Sequence, residues 1–209
     1  MHDQTILASP NLPQWKQTSP ASFFHRKGFD SCIVENDANV NIWYEYFYHQ
    51  WKGSAVGITL GTGIGGAILL DGKLFTGDSG FAGEIGHHVI AMNHGLPCGC
   101  GKSGCFEAHA SAAALERQFQ QQNGYFLDAK QIFERAVSQE KLASEMVDHF
   151  FSALAVGIGN LLNIFNPRHF IISGGAAQGI PPLKNQLFEK LRATAFPAVL
   201  EHVQWHFSH

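Results

Sequence analysis

Three cysteines within eight positions, Cys98-x-Cys100-x4-Cys105, carry the clearest chemistry in the chain. His87, His88 and His94 lie just upstream, within reach of a short loop. Three sulfurs and one imidazole form a tetrahedral zinc set with no open position, so a metal held this way is structural. A Cys98–Cys100 disulfide would be strained, and Cys32 stands apart in an apolar stretch. Ligand type and spacing therefore favour zinc over a disulfide framework or free thiols, and they leave open which histidine is the fourth ligand. A second pattern is Gly61-Thr62-Gly63-Ile64-Gly65-Gly66. It satisfies G-x-G-x-x-G, but the Ala67-Ile68-Leu69-Leu70-Asp71-Gly72 that follows reads as a strand and a hairpin turn where a dinucleotide site needs a helix. No Gly-Lys-Ser/Thr follows, which excludes the common P-loop. Two readings stand: a glycine turn whose N–H groups nest phosphate oxygens, with Thr62 adding a hydroxyl, or a hairpin without a ligand.

These groups need elements to hold them. Ser9 to Pro20 holds three prolines and suits a surface loop. Cys32-Ile33-Val34 reads as a short buried strand leading through Glu35-Asn36-Asp37 into a helical stretch, Ala38 to Trp51, which places Asn36 and Asp37 at a strand-to-helix junction. Ala55 to Leu60, Ile64 to Leu70 and Lys73 to Phe75 form a meander, with Asp71-Gly72 as a hairpin turn. Gly77 to Gly104 is irregular and too long for a bland connection. Helical patterns return at Ser111 to Gln122, Asp128 to Val137 and Lys141 to Phe165. In the last, Leu142, Met146, Phe150, Leu154, Ile158, Leu161 and Phe165 recur at three- and four-residue steps, the mark of a central packing helix. Phe170-Ile171-Ile172 is a buried strand, Gly174-Gly175 a tight turn, Leu183 to Ala195 a helix and Trp205 to Phe207 a strand. Strands followed by helices indicate an α/β domain.

The 209 residues allow one large domain or two small lobes. Hydrophobic residues at 45% against charged ones at 15% exclude a disordered chain. A formal charge of -3 offers no basic field for a phosphate backbone, so nucleic acid is not expected as a partner. Met1 to Pro20 has no cationic stretch followed by an apolar core, and no run approaches the ~18 apolar residues of a membrane helix. The chain reads as cytoplasmic, with no membrane partner.

Glu35-Asn36-Asp37-Ala38-Asn39, the Gly61–Gly66 loop, Gly83-Glu84-Ile85-Gly86-His87 and Cys98-Gly99-Cys100-Gly101-Lys102-Ser103-Gly104-Cys105-Phe106-Glu107, in this order, resemble the ROK family of bacterial sugar kinases and related repressors. The likeness runs from about Ser9 to Gly175. It implies an α/β, actin-like (ribonuclease-H-like) ATPase fold with two lobes closing over sugar and ATP. Residues 1–52 would be a remnant of the first lobe with the catalytic-Asp junction, and 53–209 the second lobe with the zinc loop. The implied activity is ATP-dependent phosphorylation of a hexose or N-acetylhexosamine.

By the same resemblance Asp37 would be the general base at the sugar hydroxyl. Asn36, Asp37, Glu84, His87 and Glu107 would hydrogen-bond the sugar. His87 would also be the fourth zinc ligand with Cys98, Cys100 and Cys105, its second nitrogen fixed as a donor. Gly61, Thr62 and Gly63 would lie beside the β- and γ-phosphates, Gly174 and Gly175 beside the adenosine, and Mg²⁺ would accompany ATP. His88 and His94 are left as ordinary surface histidines. A homodimer is expected by analogy only.

The family's N-terminal strand with Asp-x-Gly-Gly-Thr has no counterpart in this sequence, Ala176 replaces a further glycine, and the final turn and helix are not seen. Set against that pattern, the sequence reads as cut short at both ends, with weak or absent turnover expected of it as given. The alternative from another class is a sugar-sensing, repressor-type member without catalysis. Such repressors keep the zinc motif but often lose the loop glycines that this chain retains.

Overall fold

The computed structural model describes residues 13–15 and 17–208. The elements are helices α1 (Pro20–Arg26) and α2 (Asp37–Tyr48), strands β1 (Ala55–Leu60), β2 (Ile64–Leu70) and β3 (Lys73–Leu74), helices α3 (Phe106–Ala110), α4 (Ala112–Asn123), α5 (Ala129–Val137) and α6 (Lys141–Phe165), strand β4 (His169–Ser173), helices α7 (Lys184–Thr194) and α8 (Pro197–His202), and strand β5 (Gln204–Phe207). The strands form one sheet in the order β3-β2-β1-β4-β5. β1 pairs antiparallel with β2 and parallel with β4, and β5 runs parallel to β4. The Asp71-Gly72 hairpin takes the positive φ values (50° and 76°) that a two-residue turn between twisted strands requires. The architecture is α/β, as the pattern of strands and helices implies.

Period-two alternation divides the sheet's side chains between two helical layers. Val56, Ile58, Leu60, Ile64, Ile68, Phe170 and Ile172 face the larger core, where Phe106 of α3, Ile132 and Phe133 of α5, and Leu154 and Ile158 of α6 pack. Ala55, Ala67, Leu69 and Ile171 face the other way, against Ile42 and Tyr46 of α2. The approach of α2 depends on two glycines. A Cβ on Gly57 would come within 2.5 Å of Ile42, and one on Gly65 within 2.7 Å of both Ala38 Cβ and Thr59 Oγ1. The bare backbone at these positions lets α2 sit directly on β1 and β2.

α6 is long and apolar enough to cross a membrane by length and composition, which corrects the expectation that no stretch approaches that limit. In the fold most of its apolar side chains pack inward, with Phe151, Leu154 and Ile158 fully buried and Ile164 left exposed. A second correction concerns Cys32-Ile33-Val34. Residues 31–36 form no strand, and Ile33 is 82% exposed. Three consecutive apolar residues fit a buried strand, but apolar content alone does not place a segment in a sheet, and among the described residues this one joins none. The segment instead lines a groove of about 870 Å³ with Trp15, Phe24, Trp43 and Phe47, a face rich in half-exposed aromatics.

The loop expected over Ser9 to Pro20 holds a short 3-10 turn, Pro13–Trp15, and ends where Pro20 opens α1. Its residues 9–12 and 16 lie outside the described residues, as does most of the Met1–Pro20 stretch read for a leader.

Candidate functional site

The parallel pair β1 and β4 sets the frame. Thr59 and Ser173 are register partners, and the chain leaves the two strands side by side as Gly61 and Gly174. Gly174 has a φ of +95°, and a Cβ there would collide with the backbone of Leu60, so only glycine fits. Gly175 faces open space and begins a turn that, with Lys130, Phe133 and Glu134 of α5, lines a cleft of about 170 Å³. In the other loop the Gly61 N–H donates to the Gly63 carbonyl (3.0 Å), and the Ala112 N–H at the start of α4 donates to the Gly61 carbonyl (2.9 Å). Thr62 is exposed at the tip of this turn. A mostly bare backbone between two strand ends, at the carboxyl edge of parallel strands, is where α/β sheets take ligands.

α2 begins at the same edge. Asn36 is its N-cap, its Oδ1 accepting the N–H groups of Ala38 (2.9 Å) and Asn39 (3.2 Å). Glu35 supports the cap by accepting the Asn36 N–H (2.8 Å) and the Asn39 side-chain amide (2.9 Å). Asp37 follows, exposed, with Oδ1 taking the Ala38 N–H at 2.9 Å. Because Ala38 fills the space that Gly65 leaves, Asp37 starts the helix directly beside the glycine hairpin. The Ser173 hydroxyl donates to Asn41 Oδ1 at 2.6 Å and ties α2 to β4 as well.

On the far side of the hairpin lies the cysteine knuckle. Backbone bonds fold the loop back on itself: the Cys98 N–H donates to the Lys102 carbonyl (2.8 Å), the Gly101 N–H to the Cys98 carbonyl (3.0 Å) and the Gly104 N–H to the Leu96 carbonyl (2.9 Å). This brings one ligand atom each from His87, Cys98, Cys100 and Cys105 within 4.8 Å of one another. Cys98 Sγ is 3.6 Å from His87 Nδ1, and Cys100 Sγ is 3.6 Å from Cys105 Sγ. A tetrahedral dication with bonds of about 2.0–2.3 Å sets edges of roughly 3.5–3.8 Å, so these separations fit one. All four cysteines are free thiols. Burial, then its sulfur neighbours Cys100 and Cys98, pushes the Cys105 thiol up to about 12. The Lys102 backbone N–H and then Cys98 hold Cys100 below its ordinary value. A thiol as hard to ionise as Cys105 becomes a ligand only through the charge of a metal.

Glu107, in the first turn of α3, reaches from the knuckle to the glycine turn. Its Oε2 accepts the Ile64 N–H at 2.9 Å, and Cys98 Sγ lies 3.9 Å from Oε1. Glu84 is largely exposed and holds Oε2 4.0 Å from His87 Nε2. With Nδ1 turned to the thiols, His87 thus presents Nε2 towards Glu84. Among the described residues no hydrogen bond joins Asn36 or Asp37 to Glu84, His87 or Glu107. The shared Gly61–Gly66 hairpin relates the two sets.

His88 departs from the surface role expected of it. It is half-buried against the Phe106 ring, with Nδ1 2.5 Å from the Ile85 carbonyl and an enclosed Nε2 that has no hydrogen-bond partner. His94 is exposed, as expected. Sequence reasoning passed over His109, whose Nε2 accepts the Leu96 N–H at 3.1 Å and braces the loop just before Cys98. Burial, with Arg117 nearby, holds its pKa below the ordinary 6.5 and keeps that nitrogen an acceptor. It lies in α3 four residues after the N-cap Cys105, so one helical turn brings it back to the cysteine loop.

The chain is similar to known proteins along most of its length. The family model described as the ROK family matches residues 1–202. A glucokinase of Halalkalibacterium halodurans is 35% identical over 193 residues, covering 83% of this chain and 57% of the relative. A xylose repressor of Bacillus spizizenii is 28% identical over 197 residues, covering 93% of this chain and 50% of the relative. Among solved structures, a ROK family glucokinase from Streptomyces griseus in complex with glucose and AMPPNP superposes with a TM-score of 0.83 at 28% identity, covering 99% of this chain and 72% of that one. The chain therefore spans little more than half the length of these curated relatives.

Proposed function

The chain belongs to the ROK family and has its actin-like, ribonuclease-H-like ATPase fold, and from that membership we propose that it phosphorylates a hexose or N-acetylhexosamine with ATP. The observation that carries this reading is the meeting of the α2 start, the Gly61–Gly66 turn and Gly174-Gly175 at one edge of the sheet. The named activities of the glucokinase relatives support it.

In this reading Asp37 accepts the proton of a sugar hydroxyl as its oxygen attacks the γ-phosphorus and the bond to the β-phosphate oxygen breaks, releasing ADP. Gly61, Thr62 and Gly63 surround the β- and γ-phosphates, Gly174 and Gly175 flank the adenosine, and Mg²⁺ supplies neutralising charge. Asn36, Glu84, His87 and Glu107 read the sugar hydroxyls, a job for which carboxylates, an amide and an imidazole donor are suited. His87, Cys98, Cys100 and Cys105 hold a structural zinc. Its role is to fix the orientation of His87 and of the loop that carries Glu107. The protein is cytoplasmic in this reading, and residues 1–52 and 53–209 divide between a first and a second lobe. A homodimer remains an analogy.

The test is an ATP-consumption assay over glucose, mannose, fructose and their N-acetylamino relatives, run on this chain and on a version carrying a complete first lobe. The expected outcome is turnover of one sugar that Asp37→Ala lowers by about 10²–10⁴-fold. Sugar binding without turnover in the complete version would favour a sensor, the reading to which the xylose repressor relative points.

A further inference from the structure

Glu107 makes contacts that recognition of a sugar does not require, and we propose that it is a positioning residue coupling metal binding at the cysteine knuckle to the shape of the glycine turn. Its two carboxylate oxygens engage two different elements. Oε2 accepts the Ile64 N–H at 2.9 Å, at the point where the turn becomes β2, and it fills the space that a Cβ on Gly63 would need. Oε1 faces Cys98 Sγ at 3.9 Å. The backbone of Glu107 is fixed independently. The Phe106 N–H donates to the His88 carbonyl at 2.9 Å, and the buried Phe106 ring occupies the gap left by Gly157 of α6. The direction of the carboxylate is therefore set at its tip, by Ile64 on one side and the Cys98 thiol on the other.

Gly63 has no side chain to restrict the turn, whose own closure is the single Gly61 to Gly63 backbone bond. Cys98 lies in a loop closed by two backbone bonds to an exposed Gly101-Lys102 tip. A dication drawing Cys98, Cys100, Cys105 and His87 together fixes the Cys98 wall, and with it Glu107 and the Ile64 amide. The consequence for nucleotide binding rests on the reading of this turn as a phosphate cradle, whereas the coupling itself does not.

Amide hydrogen exchange at Ile64 tests the coupling directly, in protein loaded with Zn²⁺ and in protein stripped by a chelator, with metal content measured in both. Losing a charge-assisted hydrogen bond corresponds to about tenfold or more in opening. Exchange at Ile64 is expected to quicken by that factor on stripping, while Ile58 and Ile172 in the central strands stay slow and report an intact fold. Glu107→Ala should exchange quickly with and without metal. Glu107→Gln, which keeps an acceptor, should restore the slow, metal-dependent exchange. Binding of Mg²⁺ and AMPPNP should weaken about tenfold on stripping in the wild type and lose its metal dependence in Glu107→Ala. Equal exchange at Ile64 with and without zinc overturns the proposal, as does metal dependence that survives in Glu107→Ala, or a protein that takes up no zinc. Coupled exchange without AMPPNP binding, in a version that carries a complete first lobe, would uphold the coupling and remove the kinase reading.

Discussion

Asn36 and Asp37 are neighbours with similar side chains and different work. Asn36 spends its carbonyl oxygen on two helix N–H groups, whereas among the described residues Asp37 accepts only its neighbour's N–H and is exposed beside the glycine hairpin. Asn36→Ala is therefore expected to cost about 1 kcal/mol of stability through loss of the cap, read as a lower urea midpoint. Loss of sugar affinity with an unchanged midpoint would assign Asn36 to the sugar alone. The junction itself was legible, because a polar pair before a helical stretch marks a helix start. The division of labour was not, since cap and ligand use the same residue types. The grouping of Cys98, Cys100 and Cys105 was legible from their spacing, whereas the choice of His87 over His88 and His94 came only with the resemblance, and the fold brings His87 to the three thiols. The contact of Glu107 with the Ile64 amide was not, because residues 43 positions apart meet only when the sheet and α3 are in place.

At the scale of elements, long periodic stretches were legible and short ones were not. α6 runs from Lys141 to Phe165, as its three- and four-residue steps require, because a full buried stripe leaves its period in the sequence. α3 and α8, of five and six residues, are too short to show a period, and the Cys32–Val34 segment shows that apolar content alone makes no strand. The placement of α2 depends on what is absent from a side chain. Gly65→Ala puts a Cβ within 2.7 Å of Ala38 and of Thr59, and must shift the first turn of the helix. It is expected to cost about 1–3 kcal/mol, as overpacking does, and to lower turnover by displacing Asp37. Gly61→Ala faces open space and should leave stability within about 0.5 kcal/mol. Unfolding midpoints of the two variants make the comparison, and equal midpoints would mean that α2 does not rely on the gap at Gly65.

Across the whole molecule, the sheet edge opposite the glycine turns is closed by a cluster that joins α2, β4 and β5. His169 Nε2 lies 3.0 Å from the Lys52 carbonyl and Nδ1 lies 3.0 Å from His206 Nε2. The consistent tautomers have His169 donating from Nε2 to Lys52 and accepting at Nδ1 from His206, which requires His169 to be neutral and His206 to carry a proton on Nε2. Trp51 covers both, its ring centre 3.7 Å from that of His206 and 5.1 Å from that of His169, and His49 stacks on the same Trp51 ring at 4.9 Å. From α2, Glu45 faces His49 at 3.4 Å and accepts from the Ser208 hydroxyl, and Arg168 adds positive charge beside His169. Burial, then the proximity of His169 and His49, pushes His206 down to about 4 from its ordinary 6.5, and burial lowers His169 as well. Between those two values an unfolded chain takes up a proton that the folded one refuses, so acid favours unfolding across this window. The stability these histidines contribute is complete above pH 6.5 and is lost as pH falls towards about 4. Urea midpoints measured from pH 7.5 to 4 should therefore decline, and His206→Gln, neutral throughout, should flatten the decline. Parallel declines in the two proteins would place the acid sensitivity elsewhere and leave His206 a bystander in the closure of the sheet.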